Sequence, residues 1–72
     1  MRLNRIQIFN ILKIIFPEHL FYLPLEEPFL IRVMVHEESW GVLDRSERFL
    51  LHYGGLGIDV LGSLVKRWRR IL

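Results

Sequence analysis

The stretch FLIRVMVH at residues 29–36 carries the strongest strand signal in the chain, because β-branched and other apolar residues dominate it. The side chains of a strand alternate between two faces. One face of this stretch is apolar throughout, and its members are Phe29, Ile31, Val33 and Val35. The opposite face includes Arg32 and His36. The pattern therefore predicts a strand with its apolar face covered by helices.

A second strand is predicted just before this one, at residues 19–23 (HLFYL), which are short and rich in aromatic side chains. The intervening residues 24–28 (PLEEP) contain two prolines and two acids, a composition that suits a loop. Proline breaks no ladder when it lies at the end of a strand. We therefore predict an antiparallel hairpin over residues 19–36.

A helix is predicted before the hairpin. Asn4 suits its N-cap, and Gln7 stands three residues later, where the second member of a capping box belongs. Pro17 ends the helix. Its apolar face has helical spacing and comprises Ile8, Ile11, Leu12 and Ile15. Phe9 lies toward the more polar side, so one core face does not account for every apolar residue.

Two further helices are predicted after the hairpin. Residues 37–41 form a polar connection in this interpretation, and the second helix begins near Asp44, with Glu47 at the capping-box position. Glycines at 54 and 55 end that helix. The third begins at Asp59 and carries an apolar stripe that includes Trp68. The order predicts a single α+β domain over residues 1–72, helix-strand-strand-helix-helix, with the hairpin packed against the helices.

Composition restricts the chemistry that this chain can perform. It has 72 residues and no cysteine, which excludes disulfides and thiolate metal sites. His19, His36 and His52 have no metal-ligand spacing, and no serine lies in a Gly-x-Ser-x-Gly context. The paired acids at 26–27 and 37–38 are sequence neighbours in loops. We expect no metal, no cofactor and no enzyme activity.

The location is expected to be cytoplasmic. The longest apolar stretch, residues 6–16, is interrupted by polar residues and is far shorter than a membrane-spanning helix. Residues 16–19 (FPEH) do not resemble the cleavage site of a signal peptide. We therefore expect neither a membrane span nor a secretory leader.

Self-association is the expected route to stability. A chain of this length buries only about 60% of the surface that its unfolded form exposes, yet 51% of its residues are hydrophobic. A homodimer would cover the excess apolar surface, and one route is the pairing of exposed hairpin edges. The candidate interface residues are Phe9, Phe16, Leu30, Met34 and Trp40.

A Gly-x-x-Gly turn lies between the last two predicted helices, at Gly54 and Gly57. Together with the element order, it resembles the type II KH domain, whose corresponding loop clamps a nucleic-acid backbone. The resemblance implies that these two glycines would approach a single strand. The middle residues, which are often basic in that family, are here Gly55 and Leu56, and the chain ends in a predicted helix instead of the family's last strand.

The order of shorter motifs is also similar to that of BolA-like proteins, which are associated with iron-cluster assembly partners and with regulation. The motifs are PEHL at 17–20, VMV at 33–35, WG at 40–41 and ER at 47–48. The late histidine-bearing segment of that family has no counterpart here.

Two functions remain open from the sequence. The first is a small non-enzymatic interaction module of regulatory or assembly type, homodimeric or bound to another protein. The alternative is single-stranded nucleic-acid binding, because a basic C-terminal segment around Trp68 suits phosphate contact with stacking. The same segment would also suit an anionic membrane surface. The residues of this alternative site are Gly54, Gly57, Lys66, Arg67, Arg69 and Arg70. Ordinary complementation of the helix dipole would account for the same cations.

Overall fold

The computed structural model describes all 72 residues and confirms the α+β class. Three helices and a three-stranded antiparallel sheet follow in the order helix, three strands, helix, helix. The helices are α1 (Arg5–Ile15), α2 (Arg45–His52) and α3 (Ile58–Ile71). The strands are β1 (Phe21–Tyr22), β2 (Arg32–Val35) and β3 (Glu38–Gly41), with β2 in the centre.

The third strand corrects the prediction of a polar connection at residues 37–41. His36 and Glu37 form a two-residue turn with φ of 50° and 68°, and Val35 pairs directly with Glu38. Positive φ at both central residues characterises the type I′ turn, which Asn-Gly and Asp-Gly favour. The pair His-Glu gave no such signal, so the sequence pattern concealed the second hairpin.

The predicted first hairpin is confirmed, but its strands are short. Tyr22 pairs with Arg32, and residues 29 and 30 lie outside β2. The connecting loop is held by Arg5 of α1, whose guanidinium donates to the carbonyl oxygens of Leu30 (2.7 Å), Pro24 (2.9 Å) and Glu27 (3.0 Å). These side-chain contacts substitute for the ladder hydrogen bonds that a longer hairpin would make.

The core lies between one face of the sheet and the helices. Phe21 and Val33 are opposite each other and buried, while Tyr22, Arg32 and Met34 lie on the opposite face and are less deeply buried. The buried hydrophobic core comes from α1, β1, β2, α3 and the segments that connect the elements, and its members are Leu3, Ile8, Leu12, Phe16, Phe21, Ile31, Val33, Val42, Leu43, Leu56, Leu61, Leu64 and Trp68.

The N-terminal segment is tied to the turn before α3. Leu3 and Leu56 exchange backbone hydrogen bonds of 2.7 and 2.9 Å, which form an isolated antiparallel bridge. Gly55 lies beside this bridge with φ of 118°, and a Cβ added there would lie 2.5 Å from the carbonyl oxygen of Leu3. Only glycine therefore fits at position 55.

The turn at His36 and Glu37 generates a stability prediction. Glu37→Gly should raise the free energy of unfolding by about 0.5 kcal/mol, because glycine adopts positive φ without a steric penalty. Glu38→Gly removes the same charge from a strand and should lower the free energy of unfolding by about 0.5–1 kcal/mol. Urea unfolding of both variants measures the difference, and a loss of stability in Glu37→Gly would contradict the assigned turn.

Candidate functional site

The five predicted interface residues differ in accessibility. Phe16 is buried in the core, so its prediction as a surface contact is corrected: the end of α1 turns it inward against β1. Phe9, Leu30 and Met34 are half-buried. Trp40 is the exposed member, with 42% of its surface accessible. The structure therefore brings only part of the predicted set to the surface.

Trp40 lies on a strand with a free edge. β3 pairs with β2 on one side and with no strand on the other, and all four of its residues are exposed. In an antiparallel ladder, successive residues direct their N–H and C=O groups alternately toward the two sides. Glu38 begins the ladder next to the turn, so Glu38 and Trp40 face β2. The backbone groups of Ser39 and Gly41 therefore face outward.

The side chains of β3 leave this edge accessible. Trp40 donates from Nε1 to Oε2 of Glu38 over 3.2 Å, along the strand and not across the edge. The Ser39 hydroxyl hydrogen-bonds the Tyr22 hydroxyl on the open face of the sheet. A Cβ added at Gly41 would meet no atom within 4 Å. The face of the strand at Gly41 is therefore open.

A second surface lies on the outward side of α2. Phe49 and Tyr53 are 61% and 67% exposed, and their ring centroids are 4.6 Å apart. Beside them, His52 contacts Tyr53 and the loop residue Phe29, each edge-to-face at 4.7 Å. We call these four rings the aromatic row. They line a groove of about 460 Å³ together with Arg45, Arg48, Glu27, Pro28 and Leu30.

The glycine turn has a structural role that accounts for its composition. Gly54 and Gly55 have φ of 138° and 118°, and Gly57 is the N-cap of α3. The backbone of Leu3 occupies the space that a side chain at position 55 would need. Lys66 and Arg70 stand 9 and 13 positions after Gly57, which is about 14–20 Å along a helix. The turn and the basic end of the alternative site are thus at opposite ends of α3.

Arg67 is engaged inside the molecule, which removes it from the exposed basic end. Its guanidinium donates to both carboxylate oxygens of Glu47, at 2.7 and 3.1 Å, and to the carbonyl oxygen of Val42 at 3.1 Å. Glu47 is the only buried charged residue, 3% exposed. Lys66, Arg69 and Arg70 are exposed. The basic segment therefore offers fewer cations to a ligand than its sequence indicates.

Two pKa shifts mark the same cluster. Hydrogen bonding to Glu47 raises the pKa of Arg67 above its ordinary value, and the charges of Glu47 and Asp44 act in the same direction. The backbone N–H of Glu47 donates to the Asp44 carboxylate at 2.8 Å and lowers the pKa of that group. Ser46 and the nearby Arg67, 3.5 Å away, add to this lowering. Both shifts favour the charged forms.

No protein-family model, curated protein or solved structure matches the chain. The resemblances to type II KH and BolA-like domains therefore stay predictions. None of the three helices has the combined length and apolar character that crossing a membrane requires. No three ligand-type side chains are grouped around a common metal position.

The aromatic row was missed in the sequence, although a signal for it exists. Arg45, Phe49 and His52 recur at helical spacing, opposite the half-buried Leu50 and Leu51. These three residues can be recognised as an exposed face only once the buried face of α2 is known. Phe29 joins it from a loop, which no periodicity predicts.

Loss of the Arg67 side chain should destabilise the domain. Arg67→Ala leaves the buried carboxylate of Glu47 without its charged partner and should lower the free energy of unfolding by about 2 kcal/mol. Arg69→Ala, the matched control on the exposed side of α3, should change it by less than about 0.5 kcal/mol. Equal urea midpoints for the two variants would contradict the role given to this ion pair.

Asp44 should make stability depend on pH in the acid range. Its pKa is lower in the folded than in the unfolded chain, so its contribution is present above the unfolded value, about 3.9, and is lost as pH falls through the folded pKa. Asp44→Asn keeps a good N-cap but does not titrate. Thermal unfolding between about pH 5 and pH 2 should show a smaller acid loss in Asp44→Asn than in the unaltered chain.

Proposed function

We propose that the chain is a small non-enzymatic interaction module of regulatory or assembly type, which pairs with a second copy of itself through the free edge of β3. The observation that carries the proposal is the outward direction of the Ser39 and Gly41 backbone groups on a strand whose four residues are all exposed. An unpaired strand edge is a template for another strand.

A two-fold axis through Trp40 lets the outward-facing backbone groups of both Ser39 and Gly41 form hydrogen bonds. Ser39 of one copy then lies opposite Gly41 of the other, and each exchanges its N–H and C=O hydrogen bonds with its counterpart. The axis also makes the contact self-complementary, as a symmetric dimer requires. Axes through Ser39 or Gly41 would leave outward groups unpaired at one end of this short strand.

The same axis places the two Trp40 side chains opposite each other in a non-hydrogen-bonded pair. Cα atoms in such a pair are about 4.5 Å apart, so the side chains on one face are in contact. Cross-strand aromatic pairs contribute about 0.2–1 kcal/mol beyond an alanine pair. The pairing would cover part of the Trp40 surface, of which 42% is exposed in the single chain.

The composition of β3 supports self-pairing. Natural edge strands are usually protected by lysine, proline or a bulge, and Glu38-Ser39-Trp40-Gly41 has none of these. Glu38 is the sole charge, and the two-fold axis puts it opposite residue 42 and not opposite its own copy. A strand of four residues buries a small area, so we expect micromolar affinity.

Sedimentation equilibrium tests the proposed dimer. The unaltered chain should reach a monomer–dimer equilibrium with a Kd of about 1–100 µM. Trp40→Lys should weaken association at least about tenfold, because it replaces the aromatic pair with like charges. Ile14→Lys is the matched control, since Ile14 is 78% exposed on α1 and lies outside the strand.

Two outcomes would contradict the proposal. One is a chain that remains monomeric at several hundred micromolar, as measured by sedimentation. The other is a dimer that Ile14→Lys disrupts as strongly as Trp40→Lys does. Hydrogen exchange adds an independent measurement, because the amides of Ser39 and Gly41 should become protected as concentration rises.

A further inference from the structure

The outward side of α2 exposes more aromatic surface than the fold uses. Phe49 and Tyr53 stand one helical turn apart, and their exposed fractions are 61% and 67%. Their inner neighbours Leu50 and Leu51 already pack against the core. The core is therefore filled without Phe49 or Tyr53. Apart from their contacts with neighbouring rings, both side chains are accessible to a ligand.

The four rings of the aromatic row form a continuous surface. Consecutive centroids from Phe49 through Tyr53 and His52 to Phe29 are separated by 4.6, 4.7 and 4.7 Å. Phe29 comes from the loop that Arg5 fixes through carbonyl oxygens on either side of it. The row is thus built on a helix and a tethered loop, and is held in place before any ligand arrives.

Cations border the row. Arg45 is exposed and makes no side-chain hydrogen bond or ion pair, while Arg48 uses one guanidinium nitrogen on the carbonyl oxygen of Leu43 at 2.9 Å. Glu27 is the one acid lining the groove, and Arg32 neutralises it through an ion pair of 3.1 Å. The groove consequently has a net positive character and attracts anions.

The groove has a neighbouring depression. A second depression of about 330 Å³ shares Pro28, Phe29 and His52 with the first, and reaches Gly54 and Gly55. We call these two adjoining depressions, which share the Phe29 and His52 rings, the trough; its lining residues range from Arg45 to the glycine turn. An extended ligand with repeated planar groups fits such a shape better than a compact one.

We infer that this trough binds single-stranded nucleic acid. Bases stack on Phe49 and Tyr53, and the phosphates between them lie against Arg45 and Arg48. Base stacking on aromatic side chains together with phosphate contact to basic residues is the general mode of sequence-tolerant single-strand binding. Duplex DNA or RNA keeps its bases stacked inside and offers none to the row. This inference does not depend on the β3 dimer, which uses a different edge.

Fluorescence anisotropy with labelled twelve-residue oligo(dT) and oligo(U) at low salt provides the direct test. We expect binding of the single strands and markedly weaker binding of a duplex of the same length. Two phosphate contacts predict that log K falls with log salt with a slope of about −1.4. Thymidine monophosphate should compete only weakly, because it occupies one position of the trough.

Matched variants assign the binding to the trough. Phe49→Ala with Tyr53→Ala should lower affinity about tenfold or more, and replacement of both by tryptophan should retain it. Ile58→Ala with Ile71→Ala removes exposed apolar side chains from α3 and should leave affinity unchanged. Circular dichroism establishes that each variant is folded.

Two variants that each remove one positive charge distinguish this site from the basic end of α3. Arg45→Gln should weaken binding and reduce the salt slope by about 0.7. Arg69→Gln changes the net charge equally and should have no more than a minor effect. Binding should persist in Trp40→Lys, so a failed dimer and a failed trough give different results.

Several outcomes would overturn the inference. They are the absence of single-strand binding at low salt, equal affinity for duplex, and unchanged affinity in the folded Phe49→Ala, Tyr53→Ala variant. Greater loss in Arg69→Gln than in Arg45→Gln would move the site to α3. An acidic peptide that binds as tightly as the oligonucleotide would show recognition of charge without bases.

Discussion

The rest of the structure depends on the polar contacts that Arg67 and Trp68 make with Val42 and Glu47. The carbonyl oxygen of Val42, just after β3, accepts from Trp68 Nε1 at 2.8 Å and from Arg67 at 3.1 Å. Glu47 in α2 accepts from Arg67 and from the amide of Asp44. One cluster thus joins the sheet to both C-terminal helices, and no buried side-chain polar atom lacks a partner.

The position of α3 determines which face of α2 is buried and which is exposed. The helix has eight residues, begins at the cluster and ends at the glycine turn. Its inner face is occupied by Glu47 and by leucines against the core. None of the other five helices and strands covers the outer face, where Phe49 and Tyr53 are exposed. The exposed rings of α2 are therefore a consequence of how few elements share one core.

The parts of the fold that the sequence predicts are local ones. Both capping boxes, Asn4 with Gln7 and Asp44 with Glu47, form as their spacing indicates, and they fix where α1 and α2 begin. A capping box is readable because its members are three residues apart and use their own backbone. The helix boundaries follow from the same short-range rules.

The parts that escaped prediction depend on distant or atypical contacts. β3 was missed because its turn, His36-Glu37, lacks the Asn-Gly or Asp-Gly pair that marks a type I′ turn. The role of Arg67 was missed because its acceptor is 20 residues away, and the helix dipole already accounted for a cation at that position. For the candidate surfaces, periodicity shows which residues share a helix face but not which face the core takes.

The bridge between Leu3 and Leu56 has a consequence for how the chain assembles during synthesis. The two residues are separated by most of the sequence, so the anchor of the first helix cannot form until the start of the last helix has been made. A contact between residues so far apart in sequence carries an entropic cost of loop closure, which slows folding. While the chain is being synthesised, the N-terminal end of the first helix therefore lacks this tether until Leu56 has been added.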